Sequence, residues 1–306
     1  MKYIAPEDLQ KILPMKAAVD ALEFAFGDAA PPEAPQRMHV AVPGGTLLLM
    51  PAAGDMGTGV KLVTLNPSNP GRGLPFIHGT YMLFRPNDLA PECVIDGGAL
   101  TALRTAAVSG LATRHLARGD AHGLVIFGAG VQGHSHLDAM ATERRLRRVT
   151  VVSRTRQPAE ALASRARALG FEGAVGDASA VATADIVCTC TTSNDPVFDG
   201  SLLPDGCHVN AVGAYQPHTR ELDDDAVLRG RVVVETREAA LEEAGDLLIP
   251  IDAGVITRDH IVAELGEVVR GREVRSSDED ITVFKSVGVA FEDLVLARAA
   301  ADRVKS

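Results

Sequence analysis

Three glycines at the spacing G-x-G-x-x-G are the residues of this sequence whose chemistry can be inferred most directly. Gly128, Gly130 and Gly133 follow the apolar run 123–127, which is typical of a buried parallel strand, and precede a helical pattern over residues 131–143. In a strand–turn–helix unit such glycines permit a tight turn, let a pyrophosphate approach the backbone and let the helix pack on the strand. The helix N-terminus then offers N–H groups to the phosphates. The predicted dinucleotide contacts are Gly128, Ala129, Gly130, Val131, Gln132 and Gly133.

The end of the second predicted strand of this part of the chain carries no carboxylate. In many dinucleotide-binding folds an acidic residue about 20 residues beyond the glycines binds the adenine ribose. Here the chain reads Val152-Ser153-Arg154-Thr155-Arg156. Ser153, Arg154 and Thr155 are suited instead to a 2′-phosphate, and a basic turn that only faces solvent is the alternative. Beside the glycine motif, this turn favours NADP(H) as the cofactor, with NAD(H) as the second choice.

Three basic residues lie among apolar neighbours before residue 105. Lys61 falls inside a predicted strand, where a central charge is unexpected unless it faces a site, and Arg104 falls on an Ala-rich predicted helix. Arg37 begins a β-rich stretch. An arginine on a closely packed helix either extends to solvent or binds an anion. From the pattern alone, an ordinary solvated role explains each of the three residues better than a site does.

The histidines and cysteines show no metal-site spacing. His134 and His136 are two apart on a predicted helix, so they point to different sides and cannot bind one ion together. Cys188 and Cys190 lie in a strand-like run and are expected to be small buried residues. The four cysteines have neither zinc nor disulfide spacing: Cys93, Cys188, Cys190 and Cys207. We therefore expect no metal centre.

The elements that must position these residues fall into two groups. Residues 1–30 have a helical pattern, a break covers 29–35, residues 36–84 form short strands separated by turns, and 98–118 form one helix. From residue 123 strands and helices alternate, as a doubly wound α/β sheet requires. The predicted strands are 123–127, 148–152, 171–175, 185–190, 207–212, 231–235 and 281–284. The predicted helices are 131–143, 158–169, 178–183, 219–229, pieces of 237–270, and 287–303.

Composition and charge are those of an ordinary globular enzyme. Of 306 residues, 46% are hydrophobic and 23% are charged, and the formal net charge is −10. An acidic chain is poorly suited to nucleic acid or to an anionic membrane surface. The N-terminus lacks the apolar stretch of a signal peptide, and no run approaches the roughly 18 apolar residues that span a bilayer. These features predict a cytoplasmic protein.

Several segments together resemble the ornithine cyclodeaminase/mu-crystallin family. They run in order over nearly the whole chain, so the resemblance is far more specific than the glycine motif alone. It is closest to the mu-crystallin-like ketimine reductase branch. The segments are GVKLVT (59–64), DGGALTALRTAAVS (96–109), FGAGVQG (127–133), VNAVGA (209–214), ELDD (221–224), EAALEEAGD (238–246) and TVFKSVG (282–288).

The resemblance implies an α/β homodimer with two domains in each chain. Residues 1–118 and 286–306 would form a smaller α+β domain for substrate binding and dimerisation, and residues 119–285 a Rossmann domain. The family places basic residues matching Arg37, Lys61 and Arg104 on the substrate carboxylate, with Thr105 beside them. Around the nicotinamide, the resemblance implies contacts from Thr191, Ser193, Val212, Gly213, Ser286, Val287 and Gly288.

The activity implied by the resemblance is reduction of a small cyclic or open-chain α-imino acid, or the reverse amino-acid dehydrogenase reaction. Two alternatives remain: an NAD-dependent ornithine cyclodeaminase and a non-catalytic NADPH-dependent binding protein. In cyclodeaminases a carboxylate follows the strand that matches 209–214, and here Tyr215 occupies that position. A phenol is a poor base at neutral pH, so Tyr215 favours the reductase. His218 is the strongest substitute for the carboxylate, ahead of Gln216 and Thr219.

Overall fold

The structure of the chain is a computed structural model that describes residues 2–28 and 34–305, so most of the break expected at 29–35 lies outside it. The described strands are β1 (Lys2–Ile4), β2 (Met38–Val42), β3 (Gly45–Gly54), β4 (Gly57–Leu65), β5 (Ile77–Phe84), β6 (Pro91–Asp96), β7 (Gly123–Phe127), β8 (Arg148–Val152), β9 (Glu172–Val175), β10 (Ile186–Thr189), β11 (His208–Ala211), β12 (Gly230–Val234), β13 (Ile261–Glu264) and β14 (Ile281–Lys285). The described α-helices are α1 (Pro6–Ile12), α2 (Met15–Gly27), α3 (Gly97–Leu116), α4 (Val131–Glu143), α5 (Arg156–Ala168), α6 (Asp224–Arg229), α7 (Arg237–Glu243), α8 (Gly245–Asp252), α9 (Leu265–Val269) and α10 (Ala290–Lys305). None of these helices is both long and apolar enough to cross a membrane.

The first compact unit comprises the described residues up to Arg104 and from Val289 onward. Its sheet has the order β1-β6-β5-β4-β3-β2, in which β1 runs parallel to β6 and the other neighbours are antiparallel. Paired residues of neighbouring strands point to the same side, so one face of the sheet carries Met50, Lys61 and Tyr81 together. Helix α10 packs on β3, β4 and β5 and on α2. The face that includes Lys61 is therefore buried.

The other face of this sheet, the outer face, carries several exposed apolar side chains. Met38 pairs with Leu49, and Leu49 pairs with Leu62, so these side chains share a face. Val40 and Val42 follow Met38 at every second position of β2, so they lie on the same side as Met38. The exposed hydrophobic side chains of this outer face include Met38, Val40, Val42 and Leu62. Exposed polar residues of β4 and β5 lie on the same face, among them Thr64, His78 and Thr80.

The second compact unit, residues 105–288, contains a sheet in which all neighbouring strands are parallel. The strand order is β13-β12-β14-β11-β10-β7-β8-β9. The chain runs from β7 through β8 and β9 on one side and then crosses to β10 on the other side of β7. In open α/β sheets, ligands bind at such a reversal, outside the carboxyl ends of the strands. Every residue of β7, β10, β11 and β14 is buried, as expected for parallel strands covered on both faces.

The fold class expected from the sequence is confirmed, and β7 and α4 have the predicted bounds. The predicted helix over 219–229 is wrong in its first five residues, because α6 begins at Asp224. Asp223 caps this helix through its side chain. Upstream, the N–H group of Glu221 donates to the carboxylate of Asp246, 2.7 Å away, instead of joining a helix.

The sequence analysis misses three strands: β1, β6 and β13. Strands β1 and β13 have 3 and 4 residues, too few to show an alternating pattern, and β6 begins with a proline. Residues 237–270, expected as helical pieces, therefore include the edge strand β13. The segment predicted as a helix over 178–183 is a 3₁₀ helix, and the last helix begins at Ala290 rather than at 287.

Candidate active site

Lys61 lies in the middle of a sheet and is almost inaccessible to solvent. Strand β4 runs between β3 and β5, where Lys61 pairs with Met50 and Tyr81. The residue is 1% exposed, and its Nζ atom lies 2.7 Å from Oδ2 of Asp293. A buried ammonium is tolerated only with such a partner, so this ion pair explains how a lysine occupies a core position.

Two carboxylates that the sequence analysis did not single out complete a cluster of charges. Glu292 and Asp293 lie in the first turn of α10 and are fully buried. Nη1 of Arg104 donates to Oε2 of Glu292 at 3.2 Å, and Nε of Arg104 lies 3.8 Å from Oδ1 of Asp293. The positive end of the helix dipole favours carboxylates in a first turn. Adjacent acids inside the otherwise apolar run 287–297 are the signal that could have identified them.

The charge state of Lys61 is balanced between opposing influences. Burial lowers its pKa to about 8, and the positive charges of Arg104 and Arg37 act in the same direction. The charge of Asp293 and its hydrogen bond act against them. Lys61 is therefore suited to exchange a proton near neutral pH, whereas an ordinary lysine with a pKa near 10.4 is not.

The remaining predicted residues of this cluster adjoin Lys61. Arg37 is half-buried and close enough to influence Lys61, and Arg104 and the adjacent Thr105 are buried. Burial raises the pKa of Tyr81 and the nearby Asp293 adds to the effect, so this phenol stays neutral. Its hydroxyl reaches across β4, since a Cβ atom at Gly59 would lie 2.0 Å from it. We name the group of Arg37, Lys61, Arg104, Glu292 and Asp293 the charge cluster.

In the second unit, the three glycines of the motif have distinct structural roles. Gly128 has a φ of 96°, and a Cβ atom there would lie 2.5 Å from the carbonyl oxygen of Cys190. A Cβ atom at Gly133 would lie 2.1 Å from the Gly128 carbonyl oxygen, so glycine permits the close packing of α4 on β7. A Cβ atom at Gly130 would meet nothing within 4 Å. Close packing thus explains why glycine occurs at 128 and at 133. At Gly130 the backbone instead faces open space.

That open space fits a dinucleotide. Gly130 is the N-cap of α4, and no side chain caps the helix. Val131, the first helical residue, is 68% exposed although it is apolar. Ala129 is buried, and Gln132 follows Val131 in the first turn. An uncapped helix N-terminus beside a glycine turn is a ready-made site for a pyrophosphate.

The turn after β8 is exposed and lacks a carboxylate. Arg154 and Thr155 are exposed, Ser153 is half-buried, and the N–H group of Thr155 donates to Oγ of Ser153 at 3.4 Å. Thr155 precedes α5 without capping it through its side chain. The turn therefore offers two hydroxyls and a guanidinium close together in the sequence, which is the donor set for a phosphate monoester.

Glu221 joins the two loops that follow β10 and β11. Its Oε1 accepts hydrogen bonds from the N–H and the hydroxyl of Thr191, both at 2.7 Å. Its Oε2 accepts from Thr189 Oγ1 at 2.8 Å and from the N–H of Gly213 at 2.7 Å. Burial raises the pKa of Glu221, and Asp246 adds to this, whereas these donors favour the carboxylate. Thr191 in turn holds the N–H of Ser193 at 3.1 Å, and Val212 precedes Gly213.

A second buried carboxylate, Glu235, holds the loop after β14 in the same manner. Its Oε1 accepts from Oγ of Ser286 at 2.7 Å, and its Oε2 accepts from the N–H groups of Val287 and Gly288, each at 2.9 Å. Gly288 has a φ of 82°. The sequence analysis named the loop residues at 191–193, 212–213 and 286–288. It did not identify Glu221 or Glu235 as the residues that hold these loops.

Tyr215 and His218 lie in the segment after β11. Tyr215 is half-buried and packs against the core of the second unit, while His218 is exposed in a turn together with Gln216. The buried Lys285 donates to the carbonyl oxygen of Ala214, which fixes the backbone next to Tyr215. The N–H group of Thr219 donates to the carbonyl oxygen of Gln216, so a defined turn ends where the predicted helix over 219–229 was expected to begin.

The fold, the charge cluster and the glycine turn define a class of protein. It is an NAD(P)-dependent oxidoreductase built from a Rossmann unit and a smaller α+β unit. The sequence profile of the ornithine cyclodeaminase/mu-crystallin family matches residues 5–306. The chain belongs to this family, which confirms the resemblance seen in the sequence.

Two curated relatives are both reductases. Delta(1)-pyrroline-2-carboxylate reductase of Bacillus cereus is 40% identical over 260 residues, which cover 83% of this chain and 80% of the relative. Ketimine reductase mu-crystallin of Rattus norvegicus is 39% identical over 264 residues, which cover 84% of this chain and 80% of the relative.

A solved structure matches the complete fold. Delta(1)-pyrroline-2-carboxylate reductase of Thermococcus litoralis, in complex with NADH and L-proline, has a TM-score of 0.95 and 35% identity. The match covers 100% of this chain and 98% of that chain.

Proposed function

We propose that this chain is an NAD(P)H-dependent reductase of small α-imino acids, of which Δ1-pyrroline-2-carboxylate and Δ1-piperideine-2-carboxylate are the first candidates. The observation that carries this proposal is the charge cluster, in which a lysine with a lowered pKa lies beside an arginine within a buried group of charges. The relatives with reductase names and the bound NADH and L-proline of the Thermococcus litoralis protein support it.

The cluster suits a substrate with one carboxylate. With Lys61 protonated, the three cations Arg37, Lys61 and Arg104 face the two carboxylates of Glu292 and Asp293. A substrate carboxylate beside Arg104 and Lys61 would place a negative charge next to these two cations. The planar guanidinium of Arg104 can hold that carboxylate at two points and so fix its orientation as well as its position.

Reduction of a C=N bond requires a hydride on carbon and a proton on nitrogen. The nicotinamide cofactor supplies the hydride when it is bound. Lys61 donates the proton to the imine nitrogen and becomes a neutral amine, which solvent protonates again before the next turnover. In the reverse reaction the neutral amine accepts the proton. A pKa of about 8 suits both directions near neutral pH.

Tyr215 is proposed to donate a hydrogen bond to the substrate, with His218 and Thr105 beside the site. The resemblance assigns these positions to the substrate. The half-buried phenol follows Ala214, whose carbonyl oxygen accepts a hydrogen bond from Nζ of Lys285. A neutral phenol can orient an imine or a carboxylate, but it does not deprotonate an amine at neutral pH. This difference in basicity favours a reductase over a cyclodeaminase.

The proposed cofactor contacts lie in the glycine turn, in the turn after β8 and in the loops that Glu221 and Glu235 hold. We propose that Gly128–Gly133 bind the pyrophosphate, that Ser153, Arg154 and Thr155 bind the adenine ribose and its 2′-phosphate, and that the loops at 191–193, 212–213 and 286–288 contact the nicotinamide. The open space at Gly130 and the uncapped helix support the first of these assignments. The turn at 153–155, which lacks a carboxylate, supports a preference for NADP(H).

Arg154→Asp tests the cofactor preference. The new carboxylate would repel a 2′-phosphate and accept hydrogen bonds from a ribose 2′-hydroxyl, so we expect kcat/KM for NADPH to fall and that for NADH to rise. The loss of one charge-assisted contact corresponds to roughly 10- to 100-fold for NADPH. Arg156→Asp, at the first residue of α5, is the matched control. Equal wild-type efficiency with NADPH and NADH would contradict the preference.

The activity itself is tested by a substrate panel followed at the NADPH absorbance band. The panel contains Δ1-pyrroline-2-carboxylate, Δ1-piperideine-2-carboxylate, and α-keto acids with ammonia or methylamine, and we expect turnover of at least one cyclic imino acid. NADPH binding without any turnover would favour a non-catalytic binding protein. Rapid formation of proline and ammonia from L-ornithine with catalytic NAD would establish a cyclodeaminase and contradict the role given to Tyr215.

We also propose that the chain forms a homodimer through the outer face of the first unit. Soluble monomers rarely expose several adjacent apolar side chains on one sheet face. Here Met38, Val40, Val42 and Leu62 do so, on the side of the sheet opposite to α10. A second copy of the same face would cover them.

A further inference from the structure

We propose that Asp293 is a positioning residue that keeps Lys61 charged and fixed in place, so that the first turn of α10 sets the pH range in which the enzyme reduces imino acids. This inference rests on the function proposed above. It assigns a role to a carboxylate of the charge cluster that contacts Lys61, rather than to one that contacts substrate.

The geometry places Asp293 against Lys61 with little freedom for either group. Oδ2 of Asp293 lies 2.7 Å from Nζ of Lys61, and both side chains are at most 2% exposed. Lys61 is fixed at its base by the pairing of β4 with two neighbouring strands. Asp293 is fixed by α10, which packs on α2 through Phe26 and Phe291, whose ring centres are 4.8 Å apart. A flexible lysine is thus held at both ends.

The other cations around Lys61 disfavour its protonated form. Arg104 on α3 and Arg37 before β2 both lower its pKa, in addition to burial. Glu292 on α10 accepts a hydrogen bond from Arg104 rather than from Lys61. Tyr81 on β5 faces the same Asp293, and its raised pKa keeps it neutral. Among these described neighbours, Asp293 is the group that favours the ammonium form.

Without the charge of Asp293, Lys61 would lose its proton at a lower pH. An opposite charge within about 4–6 Å shifts a pKa by about one to three units. Since reduction uses the protonated amine, the pH above which activity declines would fall by a comparable amount. In the reverse direction the neutral amine is required, so the same change would extend activity to lower pH.

The first experiment measures Lys61 directly and does not depend on catalysis. The sequence contains six lysines, so NMR of a chain labelled with ¹³C at the lysine ε-carbons gives few signals, and Lys61→Arg identifies the signal of Lys61. We expect a midpoint near pH 8 in the wild type and a midpoint about one to three units lower in Asp293→Asn. An unchanged midpoint in folded Asp293→Asn would overturn the proposal.

The matched control is Glu92→Gln. Glu92 binds Arg298 of α10 through two hydrogen bonds, at 2.7 and 2.9 Å, so this variant removes a carboxylate that anchors the same helix away from Lys61. We expect it to lower thermal stability without moving the Lys61 midpoint. A shift equal to that of Asp293→Asn would show that loosening of α10, and not the charge of Asp293, controls Lys61.

The second experiment records the pH dependence of imino-acid reduction by the same variants. We expect the alkaline decline of kcat to move to lower pH in Asp293→Asn by the amount seen in the NMR titration, and to stay in place in Glu92→Gln. A shifted NMR midpoint with an unshifted kcat profile would overturn the role in setting the pH range. Absence of reductase activity in the wild type would contradict the proposed function, while the NMR result would still decide the coupling.

Folding of the variant is itself informative. Loss of Asp293 leaves a buried ammonium whose pKa is depressed further below its unfolded value, so the variant gains stability as pH rises through that interval. We expect Asp293→Asn to melt at a higher temperature at pH 9 than at pH 7, relative to the wild type. A variant that is unfolded at both pH values would contradict the proposal, because neutralising Lys61 would then fail to restore the fold.

Discussion

The charge cluster shows how individual residues depend on one another inside a core. Removing one partner of a buried ion pair costs about 3–5 kcal/mol, because the other charge is left uncompensated. Lys61 can escape this cost by losing its proton, whereas Arg104 cannot, since a guanidinium stays charged in proteins. Glu292 and Asp293 each contact Arg104 within 4.0 Å, so the permanent cation of the cluster has two carboxylates and the titrating cation has one.

The sequence identified the cations of this cluster but not its anions. A lysine inside a strand pattern conflicts with burial, and this conflict drew attention to Lys61. Acidic residues in the first turn of a helix are ordinary, because the helix dipole favours them on any surface. The apolar run 287–297 around Glu292 and Asp293 is the one local signal that sets them apart from solvated acids, and the packing of α10 on the sheet reveals that they are buried.

Arg104→Lys tests whether the geometry of the guanidinium matters beyond its charge. Lysine keeps the charge that balances Glu292 and Asp293, but it loses the planar two-point contact with a carboxylate. We expect kcat/KM for the imino acid to fall about 100-fold or more, because a misplaced substrate reacts slowly, while the Kd of NADPH changes little.

The control for that substitution is Arg114→Lys on the same helix. Arg114 makes a two-point contact with Glu143, with both distances 2.8 Å, in the second unit. This variant should alter stability slightly and leave kcat/KM close to the wild-type value. Near-normal kcat/KM in Arg104→Lys, measured by steady-state kinetics with saturating cofactor, would show that Arg104 does not bind substrate through its fork.

At the level of elements, the loops at the carboxyl ends of the parallel strands are ordered by buried carboxylates. Glu221 connects the loops after β10 and β11, and Glu235 holds the loop after β14. The strands themselves were predictable, because buried parallel strands are continuous apolar runs. The loop anchors were not, since a glutamate such as Glu235 at the end of a strand has the same local sequence whether it points to solvent or to a neighbouring loop.

Glu235→Gln tests the anchoring of the loop at 286–288. Glutamine is neutral and has one acceptor oxygen where the carboxylate has two. Its NH₂ group at the Oε1 position would face the N–H of Gly288, which donates to Oε1 at 3.2 Å, and the remaining bonds would lose their charge assistance. Charge-assisted hydrogen bonds contribute about 1.5–3 kcal/mol each. We expect the Kd of NADPH, measured by fluorescence titration, to rise about 10- to 100-fold.

The control for the loop anchor is Glu264→Gln in the same unit. Glu264 accepts a hydrogen bond from the N–H of Arg237 at 2.7 Å and caps α9. This variant should lower the melting temperature without changing the Kd of NADPH. If Glu235→Gln binds NADPH as the wild type does, the loop at 286–288 is either ordered without Glu235 or not part of the cofactor site.

At the level of the whole molecule, the two faces of the first sheet have different environments. The face with Met50, Lys61 and Tyr81 is covered by α10 within the chain. In the part of the chain that the structure describes, the outer face keeps exposed apolar side chains on β2 and β4, with exposed polar residues beside them. The sequence shows the strands but cannot show which face a distant helix covers, because α10 lies about two hundred residues further along the chain.

Leu62→Asp tests whether a second copy covers the outer face. Leu62 is 39% exposed on the central strand β4, between Leu49 and Thr80 of its neighbours. A carboxylate there would be desolvated in a dimer and solvated in a monomer. We expect the wild type to have twice the mass of the chain by light scattering and Leu62→Asp to have the mass of one chain. Leu228→Asp, at an exposed leucine of α6 in the other unit, should remain dimeric. A wild type that is monomeric at all concentrations, or a Leu62→Asp variant that is folded and still dimeric, would show that the outer face is not the interface.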